Sequence, residues 1–292
     1  MDYKKIIKNQ NLRFKILKFL SFIPDKTMLK LQYKIKTGRK LNLKNPKRYT
    51  EKIQWYKINY RNPIMNRCVD KFAVRQYVKE KGLEDILNKL YAVYDNIEDF
   101  DIESLPQKFV VKTTNSSGTN IFCKDKNSIK KEDIVNKINT FLSFKNIKAG
   151  REWAYYGIKP KIIVEKFLED DTDRGIADYK FLCFNGNPEF IVYDIDRFIE
   201  HKRNFYDINW NYLEVSSDCP NFGDVVKKPE KLEEMIKIAK ILSEDFPAVR
   251  VDLYCVKNKI YFGELTFYPW SGYVDFSPDD FDFTLGEKFN IQ

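Results

Sequence analysis

The chain has 292 residues, of which 43% are hydrophobic, 32% charged and 15% aromatic, with a formal net charge of +9. This balance belongs to a folded protein with a sizeable core. It contains a single histidine, His201, and five dispersed cysteines (Cys68, Cys123, Cys183, Cys219, Cys255) with no CxxC pair. Histidine-motif zinc hydrolases are therefore excluded, a Ser-His-Asp triad would have only His201 to use, and neither a disulfide framework nor a thiolate zinc site is supported. Scattered thiols suit the reducing cytoplasm. His201 lies in the polar run FIEHKRN and reads as a solvated or supporting residue, which leaves acid–base work to carboxylates, lysines and tyrosines.

Residues 1–48 carry fifteen Lys/Arg against Asp2 and Asp25, a net +13, and the remaining chain is −4. No apolar run reaches the roughly 18 residues needed to span a bilayer. The stretch LRFKILKFLSFIP places apolar residues on a helical face among lysines. Two readings stand side by side: a basic amphipathic helix on anionic lipid, or a helix packed on its own domain with a solvated lysine face. No nucleic-acid partner is expected. The chain divides into a basic helical segment (1–50), a helical region (51–107), a strand–helix–strand segment (108–165) and a strand-rich remainder (166–292). Gly82 is a natural stop for the helical pattern of DKFAVRQYVKEKGLEDILNKL, and LYAVYDN reads as a short strand. KFVVKT and KIIVEKF read as strands flanking the helical SIKKEDIVNKINTFL. YKFLCFNGNPEFIVYDIDRF is a hairpin turning at Asn185-Gly186, PEKLEEMIKIAKILSEDF a helix, and VRVDLYCVKNKIYFGELTF a second hairpin turning at Lys257-Asn258-Lys259.

Some features carry chemistry. In KFVVKTTNSSGTN, Lys112 ends an apolar run and precedes a small-residue turn with Ser116, Ser117 and Gly118, the reverse of a P-loop. Backbone N–H groups in such a turn can approach phosphate oxygens. In IIVEKFLEDD, an apolar strand runs into acids. Its backbone could pair with a purine edge. Period-two alternation puts Arg250 and Asp252 on one strand face. If the last hairpin pairs regularly, Asp252 faces Glu264. Two adjacent carboxylates repel unless a cation lies between them, and oxygen ligands suit Mg²⁺.

In order and spacing these motifs resemble the ATP-grasp ligases, and LPQKFVVK, IIVEKFL, DYKFLCFNG and GELTFYPWSG resemble the TupA-like ATP-grasp proteins of bacterial surface-polysaccharide gene clusters, over residues 50–292. VDKFAVRQYV resembles the helix that carries a further phosphate-contacting lysine, here Lys71. The resemblance implies an α+β, ATP-grasp fold, with two lobes holding ATP between them, a glycine-containing lid in 108–165 and a metal site in 166–292. It implies Lys71, Lys112 and the Ser116–Gly118 turn on the ATP phosphates. Backbone at Lys166, Phe167 and Leu168 would meet adenine, with Glu165 near its exocyclic amine and Asp170 or Asp171 on ribose. Asp252, Glu264 and Thr266 would hold Mg²⁺, with Thr266 standing where most relatives have asparagine, and Arg250 and Lys180 would meet the transferring phosphoryl group. The implied reaction is carboxylate activation by ATP and capture of the acylphosphate by an amine. The implied substrates are a uronic-acid-type group of a capsule or other surface polysaccharide, or a lipid-linked glycan, and an amino acid or amine. Such a protein would be cytoplasmic, or peripheral at the inner membrane face.

A rival reading takes Asp194-Ile195-Asp196 as the DxD metal motif of a nucleotide-sugar glycosyltransferase, although Arg197 beside it would weaken metal binding. Tyr268, Trp270 and Tyr273, around Gly272, either stack on sugar rings or pack beneath a loop.

Overall fold

The computed structural model describes residues 16, 19–115, 118–143, 149–170, 175–195, 200–223 and 226–291. Its elements, in chain order, are helices α1 (Asp25–Thr37), α2 (Tyr49–Asn59), α3 (Pro63–Val69) and α4 (Val74–Glu80); strands β1 (Leu90–Tyr94), β2 (Phe109–Thr113) and β3 (Asn120–Cys123); helix α5 (Lys131–Ser143); strands β4 (Ile162–Lys166), β5 (Asp178–Phe184), β6 (Asn187–Ile195), β7 (Lys202–Asp207) and β8 (Tyr212–Leu213); helix α6 (Leu232–Ser243); strands β9 (Ala248–Val256) and β10 (Lys259–Thr266); and helix α7 (Asp280–Lys288). They form two compact units, one of Pro63–Asn146 and Tyr155–Glu169, the other of Met1–Asn62, Ile147–Ala154 and Asp170–Gln292. The helical region expected over 51–107 is thus shared between them: α2 belongs to the second unit, while α3 and α4 belong to the first.

The first unit is built on a four-stranded antiparallel sheet in the order β1-β4-β2-β3. Its core joins Phe109, Val111, Ile121, Ile162 and Val164 to Ile134 and Ile138 of α5, four residues apart on one helical stripe. Gly82, at φ 72°, follows α4 as the sequence indicates.

The second unit is built on a six-stranded antiparallel sheet in the order β10-β9-β5-β6-β7-β8. Both expected hairpins form, turning at Asn185-Gly186 (φ 52°, 77°) and at Lys257-Asn258 (φ 50°, 61°). The paired positive φ values match the twist of the flanking strands. Helix α6 buries Leu232, Met235, Ile238, Ala239 and Leu242 and packs on β5, β6 and β9. From β5, Phe184 meets Tyr49 of α2 edge-on at 5.9 Å and Phe289, just past α7, at 5.9 Å.

The first turn of α2 is held by a carboxylate from the far end of the chain. The Thr50 N–H donates to Asp282 Oδ1 (2.9 Å) and its hydroxyl to Oδ2 (2.8 Å). A buried carboxylate at a helix N-terminus satisfies an orphan donor and complements the dipole. Close backbone approach makes this possible, because a Cβ at Gly286 would lie 2.1 Å from the Lys47 carbonyl oxygen. Gly286→Ala should therefore lift α7 off α2 and lower stability by about 1–3 kcal/mol or more, read from urea unfolding; an unchanged midpoint would count against this packing.

Candidate active site

In the first unit, Lys71, Lys112 and Gly118, three of the residues expected at the phosphates, lie around the end of β2. The backbone N–H of Lys71 donates to the Thr114 carbonyl (2.9 Å). Asp70 accepts from the N–H groups of Phe72 (2.9 Å) and Ala73 (2.8 Å) and so fixes that turn. Lys112 Nζ pairs with Glu165 Oε2 at 2.6 Å, while Arg75 pairs with Oε1 at 3.2 Å. Arg75 is a partner that sequence reading missed; it lies one helical turn after Lys71. The turn that follows Lys112 is closed by a buried hydroxyl pair, Thr113–Thr119 (2.7 Å), with Gly118 left-handed at φ 69°. Ser116, Ser117 and Asp171 lie outside the described residues. Lys166 already uses its backbone: its N–H donates to Lys89 O (2.8 Å) and its carbonyl accepts from Asn88 (2.8 Å). Beyond it, Phe167 and Leu168 run past the last pair of the sheet, and the Phe167 ring meets Phe122 edge-on at 6.2 Å. Asp170 follows and belongs to the second unit.

In the second unit, the remaining predicted residues share one sheet face. Strand register sets Lys180 opposite Asp252, Asp252 opposite Glu264, and Arg250 opposite Thr266. The pairing of Asp252 with Glu264 depends on a bulge. Phe262 pairs with Leu253, so unbroken register would set Gly263 against Asp252; instead Gly263 is the extra residue and Glu264 moves into that place. A Cβ on Gly263 would lie 2.9 Å from the Asp252 carbonyl oxygen.

Arg250 Nη2 lies 2.6 Å from Asp252 Oδ2, 3.1 Å from Glu264 Oε1 and 3.1 Å from Thr266 Oγ1. One cationic nitrogen thus stands where the three predicted metal ligands converge. The donor set fits a hard cation, because three oxygens already converge on a positive charge and Mg²⁺ takes one or two protein carboxylates and completes its shell with water and phosphate. Lys180 is buried and lies 3.1 Å from Asp252 and 2.9 Å from Asp178. Its ammonium is thereby committed to holding Asp252, a supporting place that differs from the expected contact with a phosphoryl group. Burial still pushes the Asp252 carboxyl up, although Arg250 and Lys180 oppose this. Across the row, four carboxylates (Asp178, Asp194, Asp252, Glu264) face three permanent cations (Lys180, Arg203, Arg250). Among the described residues, no group of three or more His, Cys, Asp or Glu could hold a metal ion, so any cation here relies on two carboxylates and a hydroxyl.

Asp194, the first residue of the rival DxD motif, is buried and gripped by Arg203, with Nε–Oδ1 2.6 Å and Nη2–Oδ2 3.2 Å. His201 approaches Asp194 Oδ1 at 3.4 Å. Burial alone would raise the Asp194 carboxyl, but His201 and Arg203 hold it well below the usual range. This is an internal ion pair, while Asp196 and Arg197 lie outside the described residues. The C-terminal aromatics also separate: Tyr268 is buried against Tyr56 and Tyr273 packs on Tyr33, so both are packing residues. Trp270 remains partly exposed, with Arg203 over its ring at 5.4 Å.

Just after β10 the chain is strained. Trp270 and Ser271 both adopt φ 52°, a left-handed conformation costly for residues with a Cβ. Helix α2 holds them there: Gln54 donates to the carbonyls of Ser271 (2.9 Å) and Gly272 (2.8 Å), and the fully buried Lys57 donates to Ser271 O (2.9 Å). The Ser271 hydroxyl donates to Glu152. Sequence reading missed these residues; the only available signal was a lysine on the apolar side of α2.

The fold is that of an ATP-grasp protein. Comparison with family descriptions matches residues 51–290 to TupA-like ATPgrasp, and the chain belongs to that family. It is 21% identical over 246 residues to a D-alanine--D-alanine ligase of Helicobacter pylori, a match that covers 80% of this chain and 61% of the relative's length. A crystal structure of D-alanine--D-alanine ligase from Bacillus anthracis aligns with a TM-score of 0.42 at 18% identity, over 69% of this chain and 57% of that one. A RimK-domain ATP-grasp protein from Sphaerobacter thermophilus aligns with a TM-score of 0.42 at 10% identity, over 78% and 68%.

The bulge and the buried lysine can each be tested. Gly263→Ala should cost about 1–3 kcal/mol and abolish any rise in melting midpoint produced by Mg²⁺, since Glu264 can no longer face Asp252; a normal Mg²⁺ response would show the bulge to be dispensable. Burial draws the Lys57 ammonium down from 10.5 to about 8. Below pH 8 it is charged in both folded and unfolded chains, and the full burial cost is present. Between 8 and 10.5 the unfolded chain binds more protons, so stability rises with pH. The gain relative to Lys57→Met is on the order of 3 kcal/mol when complete. Urea unfolding of both proteins from pH 7 to 10 should show this convergence, and parallel curves would rule it out.

Proposed function

We propose that the protein is an ATP-dependent carboxylate–amine ligase. The γ-phosphoryl group of ATP passes to a carboxylate oxygen, giving an acylphosphate and ADP. An amine then attacks the acyl carbon, the C–N bond forms, phosphate leaves with its bonding electrons, and the amine gives up a proton to solvent. The observation that carries this reading is the convergence of Asp252, Glu264 and Thr266 on a single cationic nitrogen, on the face that also bears Lys180.

In this reading Lys71 and Lys112 bind phosphates, and the Phe167–Leu168 backbone meets the purine edge. Asp252, Glu264 and Thr266 would hold Mg²⁺, which supplies charge neutralisation at the phosphate oxygens. Arg250 stabilises charge on the transferring group, and Lys180 keeps Asp252 in place. Little covalent chemistry is asked of the protein, in keeping with a site that offers neither a cysteine nor a free histidine. Membership of the TupA-like family supports a polysaccharide or lipid-linked glycan with a uronic-acid-type carboxylate as acceptor, and an amino acid or amine as partner. The named activity of the Helicobacter pylori relative supports amide-bond formation. Partly exposed Trp270 suits a sugar face. A need for ATP supports a cytoplasmic setting.

The test is thermal shift and product release. ATP with Mg²⁺ should raise the midpoint, and UDP-sugars should not. Asp252→Asn and Glu264→Gln should each lower ADP release by about a hundredfold or more. Asp194→Asn should instead destabilise the fold while leaving ADP release per folded molecule largely intact, because buried Arg203 is left with only the largely exposed Asp218 as countercharge. Stabilisation by a UDP-sugar and none by ATP would overturn the ligase reading in favour of the glycosyltransferase.

A further inference from the structure

Arg151 is 3% exposed and takes a left-handed backbone at φ 53°. Its guanidinium donates to the carbonyls of Leu20 (2.9 Å) and Ser21 (3.3 Å) and pairs with Asp25 (2.9 Å). A buried cation thereby fixes the backbone of the short 3₁₀ turn Leu20–Phe22. Leu20 is half-buried, but Phe19, just before the turn, and Phe22 within it are 75% and 74% exposed, with their rings edge-on 6.1 Å apart. Single exposed apolar residues are ordinary, but two aromatic rings displayed from an anchored turn are not.

Their surroundings point to one kind of partner. Among the described residues, five of the eight large exposed hydrophobic side chains fall between residues 16 and 35: Ile16, Phe19, Phe22, Leu31 and Ile35. Leu31 and Ile35 lie one helical turn apart on α1, and the exposed Lys26, Lys30 and Lys34 form a second stripe at the same spacing. The first 48 residues carry +13, against −4 for all the rest. A two-fold interface with a second copy would bring this positive surface against itself. An anionic surface that also accepts aromatic rings satisfies both features.

We infer that the Leu20–Phe22 turn and the basic stripe of α1 form a docking surface for an anionic lipid bilayer. Phe19 and Phe22 enter the headgroup boundary, and the lysines face lipid phosphates. Each lysine held near the surface strengthens binding about fivefold at low salt, an effect that weakens as added salt shortens the screening length. This inference is independent of the ligase reading and of ATP.

Flotation of the full chain with vesicles of phosphatidylglycerol and phosphatidylcholine, and with phosphatidylcholine alone, tests it. The protein should float with the mixed vesicles at low salt, less at high salt, and poorly with phosphatidylcholine. Phe19→Ser with Phe22→Ser should weaken binding about tenfold or more. Their exposure means the fold should be kept, which an unchanged melting midpoint would verify. Lys26→Gln, Lys30→Gln and Lys34→Gln together should remove most of the salt dependence. No flotation with the mixed vesicles at low salt overturns the proposal, and so does equal binding by the phenylalanine variant. Self-association that the phenylalanine variant abolishes, without vesicle binding, would assign the face to a second copy and overturn it as well.

Discussion

A buried carboxylate must keep its countercharge, and the second unit is organised around that requirement. Asp252 sits inside the six-stranded sheet between Arg250 on its own strand and Lys180 on the next. Lys180 in turn lies beside Asp178, and Asp194 beside Arg203 and His201. Removing any one member unbalances charge in a low dielectric and leaves its neighbours with fewer partners, whereas the complete set is tolerated. Such a row adds little net stability. Its effect is to allow one strand register, because a slip of one residue would send every charge to the face occupied by α6.

Gly263 shows how closely site and register are joined. A regular β9–β10 ladder would pair Asp252 with a residue that has no side chain. One inserted residue places Glu264 there and turns Glu264 and Thr266 to the side of Arg250. The same bulge leads the chain out of β10 toward the strained Trp270–Ser271 segment. Gln54 and Lys57 hold that segment from α2, and Asp282 of α7 holds the first turn of α2. The C-terminal helix therefore bears on the shape of the loop beside the candidate site through an unbroken series of hydrogen bonds and packed helices.

Much of this was legible in the sequence, for identifiable reasons. Alternation placed Arg250 and Asp252 on one face, and the Asn185-Gly186 turn located its hairpin, because both signals are local. Strand β7 was not legible: it begins inside the polar run FIEHKRN, and burial of Arg203 becomes favourable only through Asp194 on the neighbouring strand and Asp218 further along the chain. Strand β3 was hidden by its four-residue length, and Arg75 by its place in an ordinary amphipathic helix. The role of Lys180 was legible only in part, since its position on the row follows from pairing but its commitment to two carboxylates does not. Tyr268 and Tyr273 could not be separated from Trp270 without knowing that Tyr56 and Tyr33 lie against them.

The two units solve one electrostatic problem in the same way. A ligand cation or phosphate can displace an internal partner only if the group left behind keeps another. Glu165 is held by both Lys112 and Arg75, so if a nucleotide phosphate draws Lys112 away, the carboxylate stays paired. Asp252 is held by both Arg250 and Lys180, so if a metal ion displaces Arg250 from it, or a transferring phosphoryl group draws Arg250 away, the carboxylate keeps the ammonium. With a single partner each, both carboxylates would be stranded on exchange, at a cost of several kcal/mol. With two partners the exchange trades one ion pair for another. Lys112 and Arg250, two of the groups expected to meet ATP, are each one of two cations on a shared carboxylate, while Arg75 and Lys180 remain behind to hold it.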